Sequence, residues 1–262
     1  MTAGGDPILL LEREDGVAMP TYWEDLNWVE FRERVPGQWH SAIIPIGTVE
    51  AHGVGPLGTD NMIPIDLVKH IADDLNALIC PPIHFGQVRG LAGYPGSIAV
   101  EERVLGEYCA QVFKSIAAWG LDTIVVINGH GGNTSTLKNA AWEAHHATGV
   151  KILVVDWWVL AYSVCEEVFG QTGGHAGTDE NAYTMAIRPD TIHADWYKDD
   201  MTFTFENGVT AYPIPGPVIT YKKGEGAPVF DMEKSKRYRE GAIAKVRDYC
   251  RMVLTKWESL GL

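Results

Sequence analysis

The chain lacks what would mark a nucleic-acid or membrane protein. Its 262 residues carry 21 Lys and Arg against 34 Asp and Glu, a formal net charge of −13. Phosphate backbones are bound by clustered cations, so this balance argues against a nucleic-acid footprint. An anionic small substrate stays open, because a bound metal ion would reverse the local sign. No apolar run approaches the length of a bilayer span, and the first residues lack the basic-then-apolar pattern of a secretion signal. Cysteine is scarce. Cys80, Cys109, Cys165 and Cys250 stand far apart, each in or beside an apolar run, with no Cys-x-x-Cys pair. They are expected to be reduced, buried thiols of a cytoplasmic protein. With 46% apolar residues the chain is globular, and neither a repeat nor a linker divides it, so residues 1–262 are expected to form a single domain.

What is present is an alternation of apolar runs and helical periodicities. Strands are expected at Ser41 to Gly47, Leu78 to Ile83, Thr123 to Ile127 and Lys151 to Val155. The helical spacings lie at Trp23 to Arg34, then after Asn61 as N-cap, with Ile65, Val68, Ile71, Ala72 and Leu75 inward and His70 solvated. Glu101 and Glu102 open a third helix facing inward through Val104, Leu105, Tyr108, Cys109, Val112 and Ile116, with Gly120 as its end. Asn133 or Thr134 caps a fourth, to Ala147. Further helices run from Thr178 to Ile187, stopped by Pro189, and from Lys234 to about Trp257, packing through Ile243, Val246, Cys250, Val253 and Trp257. Residues 1–20 read as a loose lead-in, 84–100 as a long loop, and 200–230 as irregular or hairpin structure suited to a lid. This order predicts an α/β fold with a mostly parallel sheet and helices on both sides.

In such sheets, sites form beyond the carboxyl ends of the strands. Three strands end there in polar groups: Glu50 with His52, His130, and Asp156. Each candidate has a plainer explanation when taken alone. Asp60 suits an N-cap-like loop position, and Glu180 suits a first-turn carboxylate facing water. Asn128-Gly129-His130-Gly131-Gly132-Asn133 suits a tight strand-to-helix turn or a phosphate cradle, though it is not Gly-x-Gly-x-x-Gly and no P-loop lysine follows. Trp157 and Trp158 suit a pocket wall or a core. His40, His84, His145, His146 and His193 have no partner at ligand spacing. Together, however, Glu50, His52, Asp60, His130, His175 and Glu180 all fall at strand ends, loops or helix starts. Their mixed imidazole and carboxylate chemistry suits Zn²⁺, Mn²⁺ or Fe²⁺, and a shared carboxylate is how two-metal sites are assembled.

The segments Pro45-Ile-Gly-Thr-Val-Glu50-Ala-His52-Gly with Asp60, Asn128-Gly-His130-Gly-Gly-Asn133, and His175 followed by Glu180 resemble the creatininase family, over about residues 40–190. The resemblance implies a three-layer α/β/α sandwich, commonly assembled into hexamers, with a two-metal hydrolytic centre. By position, Glu50, His52, Asp60 and His130 would be metal ligands, with Asp60 bridging. His175 would be the catalytic histidine, Glu180 a further ligand acting beside it, and Trp158 matches an active-site tryptophan. Two departures stand out. The enzyme that gives the family its name has a glutamate ligand where this chain has Gly132, and a tryptophan where it has Gln171. The Gly-His-Gly-Gly-Asn pattern fits a branch in which Glu180 is expected to supply the missing carboxylate. The loop from Gly53 to Thr59 is one residue shorter than in many relatives and is expected to help set the substrate. The implied activity is hydrolysis of a small cyclic or amide-type carbonyl substrate by metal-activated water. Relatives in that branch also include formamide hydrolases and enzymes that open cyclic keto-sugars or keto-inositols, which makes C–C hydrolysis the alternative. A phosphate- or nucleotide-binding protein using Gly129 to Asn133, and a non-catalytic binding module, are the rivals outside hydrolysis.

Overall fold

Two apolar strands buried along their whole length fix where a site can lie. The computed structural model describes residues 21–206, 208–211, 214, 219–222 and 225–262. Its elements are α1 (Trp28–Arg34), β1 (Ser41–Ile46), α2 (Thr59–Ile71), β2 (Ala77–Ile79), α3 (Glu102–Ala117), β3 (Thr123–Asn128), α4 (Thr134–Thr148) and β4 (Lys151–Asp156). They continue with α5 (Trp157–Leu160), α6 (Tyr162–Phe169), α7 (Thr178–Ile187), β5 (Thr202–Phe205), β6 (Ile219–Lys222) and α8 (Met232–Ser259). The main sheet has the order β2-β1-β3-β4, all parallel, with Ile43 opposite Val125 and Val125 opposite Leu153.

Strand side chains alternate between two cores. Ile43, Val125, Ile127 and Val155 meet α2 and the α6–α8 helices, whereas Ala42, Ile44, Ile46, Ile124 and Val126 meet α3 and α4. The chain leaves β1 towards β2 and then returns across β1 to reach β3. The crevice beyond the ends of β1 and β3 is therefore the topological switch point, where open α/β sheets bind their ligands.

The elements follow the sequence pattern with several corrections. Asn27 starts α1 at Trp28 through a capping box with Glu30, later than the spacing suggests, and Trp28 itself is exposed. α2 begins at Thr59, so Asn61 is not its cap. The Asn61 amide donates to Thr48 O (2.7 Å) and His84 O (3.1 Å), tying together the loops that follow β1 and β2. Ile65 is only half-buried, and the inward face of α2 is Ile63, Leu67, Val68 and Ile71. The buried face of α3 is rotated to Leu105, Cys109, Ala110, Phe113 and Ile116, leaving Val104 and Tyr108 exposed. Neither Asn133 nor Thr134 caps α4 through its side chain; Asn133 bonds Gln87 N and Gly47 O instead. β2 stops at Ile79, with Ile83 making only an isolated bridge to Ile46. β5 and β6 pair in parallel, which excludes a simple hairpin between them. α8 starts at Met232 on its Asp231 cap and buries Tyr238, Ala242, Ile243, Val246 and Cys250. All four cysteines are buried free thiols, and α7 has its expected bounds. Among the described residues, no helix is long and apolar enough to cross a membrane. The lead-in expected at residues 1–20 lies outside the described residues.

Candidate metal centre

The first turn of α2 lies against the ends of both central strands. A Cβ on Gly47 would stand 2.2 Å from the Asp60 carbonyl oxygen, and one on Gly129 would stand 2.0 Å from it. Only glycine permits that approach, and it seats Asp60 between the loop carrying Glu50 and His52 and the β3 end carrying His130. His175 arrives on the loop before α7, and Glu180 on the first turn of α7.

Three histidines each give one ring nitrogen to a main-chain carbonyl. His52 Nδ1 lies 3.0 Å from Glu50 O, His130 Nε2 2.8 Å from Gln87 O, and His175 Nε2 2.8 Å from Ala51 O. A carbonyl only accepts, so these nitrogens carry the proton, and in a neutral ring the opposite nitrogen is a lone pair. Those opposite nitrogens face carboxylates. His52 Nε2 is 3.0 Å from Asp60 Oδ1 and 3.5 Å from Glu180 Oε2. His130 Nδ1 is 2.9 Å from Asp60 Oδ2 and 3.3 Å from Glu50 Oε1, while His175 Nδ1 is 3.4 Å from Glu50 Oε1. A lone pair facing an anion at such distances is repulsive unless a proton or a cation lies between them. Despite their neighbours, His52 Nε2 and Asp60 Oδ2 are buried without a hydrogen bond among the described residues.

The electrostatics carry the same tension. Burial works against charge on His52, but Asp60 and Glu180 outweigh it and raise its pKa to about 10. Burial likewise opposes Glu50 and Asp60 at His130, which is raised to about 9. Burial lifts Glu50 to about 7 against the pull of His130, and lifts Glu180 well above its usual range against His52. Asp60 goes the other way: burial is overcome by His52 and His130, which hold it well below the carboxylate range. His175 is pushed down to about 3 by burial and by the charge on His52. A divalent cation relieves these conflicts, and the donor atoms group accordingly. Glu50–Asp60–His130, His52–Asp60–Glu180 and Glu50–His52–His175 each offer ligand atoms within 4.8 Å of one another. Asp60 belongs to two of these groups through opposite oxygens, the position of a bridging carboxylate.

Gly132 leaves no room for a side chain at its position. A Cβ there would lie 2.4 Å from His130 Nε2 and 2.5 Å from Gln87 O, inside the hydrogen bond that orients His130. The cluster opens on a cleft of about 560 Å³ lined by Trp158, Tyr162, Arg89, Leu91, Phe205 and Ile214, among others. Trp157 belongs to the core, edge-on to Tyr183 at 5.4 Å. Asp156 does not join the cluster; it accepts from Asn128 Nδ2 (2.7 Å) and Thr134 Oγ1 (3.0 Å). No residue from Gly53 to Thr59 lines the cleft, which is shaped instead by Arg89, Leu91, Phe205, Val209, Thr210, Ala211 and Ile214. Gln171 is likewise outside it and donates to Thr178 Oγ1 and Ala227 O.

Two contributors escape sequence reasoning. Gln87 acts through its carbonyl, which any residue type would supply, so no motif could mark it. Asp179 is buried at the α7 start, accepts from Glu180 N (2.9 Å), and is pushed by burial up to about 7. Its signal was the Asp-Glu pair opening a helix.

A family model described as creatinine amidohydrolase matches residues 24–237. The mycofactocin precursor peptide peptidase of Mycobacterium ulcerans (strain Agy99) is 29% identical over 174 residues, 62% of this chain and 64% of that protein. Creatinine amidohydrolase of Pseudomonas putida is 24% identical over 200 residues, 69% of this chain and 77% of that one. The 3-dehydro-scyllo-inosose hydrolase of Thermotoga maritima is 24% identical over 201 residues, 72% and 62% respectively. The match thus spans less than two thirds of the peptidase and of the inosose hydrolase. Among solved structures, a creatinine amidohydrolase superposes with a TM-score of 0.77 at 20% identity, over 88% of this chain and 96% of that one. At that identity the superposition speaks for the fold. Related creatininase structures are described as a Zn–Zn form and a Mn form. With a family model spanning Glu24 to Arg237 and the same α/β architecture, the chain belongs to the creatininase family of hydrolases.

Proposed function

We propose that the chain is a metal-dependent amidohydrolase that cleaves the C–N bond of a small cyclic or amide-type carbonyl substrate. The observation that carries this reading is the set of three carbonyl-tethered histidines whose free nitrogens converge on shared carboxylates beside a cleft. Glu50, Asp60 and His130 would hold one divalent cation, and His52, Asp60 and Glu180 a second, with Asp60 shared. The donor set suits Zn²⁺ first and admits Mn²⁺ or Fe²⁺. Cations bound there supply Lewis acidity for the carbonyl oxygen and acidify water.

The protein's own groups do the rest. His175 keeps its proton on Nε2 against Ala51 O, and burial keeps the ring neutral, so Nδ1 can accept a proton from the attacking water. The same nitrogen then delivers that proton to the departing amine as the C–N bond breaks. Glu50, within 3.4 Å of Nδ1, favours the transient imidazolium. Trp158 gives the cleft a flat wall against which a planar amide or ring can lie. Likeness to an amidohydrolase and a peptidase favours C–N cleavage. Likeness to the inosose hydrolase supports the second reading, C–C hydrolysis of a cyclic keto-inositol. A homo-hexamer is the assembly expected alongside this function, and sedimentation of the purified protein tests it.

The decisive experiment is elemental analysis followed by assay of metal-loaded protein on lactams, formamides, peptides and keto-inositols. We expect one or two bound ions per chain and amide hydrolysis that a chelator abolishes and added metal restores. Full activity in metal-free protein would overturn the proposal.

A further inference from the structure

The two helices that present Asp60 and Glu180 are joined a second time, away from the metal cluster. Asp66 lies six residues beyond Asp60 on α2, roughly 9 Å along the helix, and Tyr183 lies one turn beyond Glu180 on α7. The fully buried Tyr183 donates its phenol to Asp66 Oδ2 at 3.1 Å. Arg239 of α8 grips the same carboxylate with both arms, Nε to Oδ2 at 2.7 Å and Nη2 to Oδ1 at 2.9 Å. His70 completes the knot, with Nδ1 on Asp66 O at 2.7 Å and Nε2 accepting from Arg239 Nη2 at 3.0 Å. None of these four residues lines the cleft or enters a ligand group.

Such a knot is more than hydrophobic packing requires, since apolar side chains would fill the same space without taking a partly desolvated ion pair into it. What it adds is direction. A carboxylate held at both oxygens fixes the rotation and the sliding of α7 against α2. At their first turns the same helices place Asp60 Oδ1 and Glu180 Oε2 at 3.0 Å and 3.5 Å from His52 Nε2. A metal site tolerates only about 0.5 Å of misplacement before affinity falls.

We infer that Tyr183 and Asp66 are positioning residues for the His52–Asp60–Glu180 metal position, setting the register between the two helices that supply its carboxylates. The inference rests on the metal reading proposed above. The Glu50–Asp60–His130 position draws its other ligands from the ends of β1 and β3 and does not depend on α7. Asp60, shared by both positions, is seated separately by the close approach of Gly47 and Gly129 and by the Asn61 amide, so loosening the knot moves Glu180 and spares the other position. Burial and the Asp66 charge hold the Tyr183 phenol well above its usual pKa, which keeps it a neutral donor.

The test is competitive titration of metal-free protein with Zn²⁺ against a chromophoric chelator, which resolves the constants of two sites. In Tyr183→Phe, which deletes only the hydroxyl, we expect the weaker of the two sites or the stronger, but only one of them, to lose roughly tenfold in affinity. Combining it with Glu180→Gln identifies that site: no further loss from Tyr183→Phe is expected in this background. Ala182→Gly serves as a control that loosens α7 without touching the knot. It should lower the thermal midpoint and leave both constants unchanged. Unaltered constants in Tyr183→Phe, equal losses at both sites, or the same selective loss in Ala182→Gly would each overturn the inference. A parent chain that takes up a single ion would also overturn it while leaving the metal reading intact. A parent that binds no divalent ion would remove both.

Discussion

At the scale of single residues, Gly132 and the histidines carry the sharpest expectations. The His130 ring is fixed by its bond to Gln87 O, and a methyl group at position 132 would occupy that bond. Gly132→Ala should therefore swing His130 away from Glu50 and Asp60 and empty that metal position, as elemental analysis would register. His130→Ala should lose the same ion, and activity with it. His175→Ala should behave differently, because its ring serves proton transfer while Asp60 and the other ligands remain. We expect full metal content with turnover reduced about 10²- to 10⁴-fold. A metal-depleted His175→Ala would instead make His175 a ligand, as its proximity to Glu50 and His52 allows.

At the scale of elements, the site depends on how firmly α2 is seated. The Asn61 amide, buried one residue after Asp60, bonds the carbonyls of Thr48 and His84. Asn61→Ala leaves those carbonyls without their donor and should cost about 2–3 kcal/mol. A fall of roughly 5 °C or more in the thermal midpoint follows for a chain of this size. This element also shows what the sequence could and could not reveal. The apolar runs that form β1 and β3 were legible because strands covered on both faces are apolar throughout, and edge strand β4 keeps an apolar run although it is mostly half-buried. The convergence of Glu50, His52, Asp60, His130, His175 and Glu180 was legible because mixed imidazole and carboxylate recurs at strand ends, loops and helix starts that this fold brings to one edge of the sheet. Asn61 was misread as a cap because its composition suits a cap equally well, and only the tertiary carbonyls of Thr48 and His84 distinguish the two. The face of α3 was misread for a related reason: Val104 and Tyr108 are apolar enough to look buried, yet Ala110 and Phe113 take the inward positions. The parallel pairing of β5 with β6 left no local mark in the sequence.

At the scale of the whole molecule, the buried titratable groups make a metal-free chain sensitive to pH in a definite direction. His52 and His130, ordinarily near 6.5, hold their protons in the folded state to about 10 and about 9. Their contribution is fully present below 6.5 and is lost as pH rises through those values. Glu50, at about 7 against a usual 4.5, and Asp179, at about 7 against 3.8, lean the same way and lose their contribution as pH rises through about 7. Two groups limit the acid side. Asp60 is depressed, so its contribution fades as pH falls below 3.8 towards its folded value. His175 is neutral when folded and charged when unfolded between about 3 and 6.5, which favours unfolding over that range. Metal-free protein should therefore be most stable in mildly acidic solution, with a midpoint that falls steadily from pH 6 to pH 9. Cations at the cluster displace the protons on His52, His130 and Glu50, so the metal-loaded form should lose most of that slope, and its uptake of metal should release protons. Melting curves of chelator-treated and reconstituted protein across this range test both statements together. A metal-free midpoint that rises towards pH 9 would mean that these side chains do not face one another as the geometry has them.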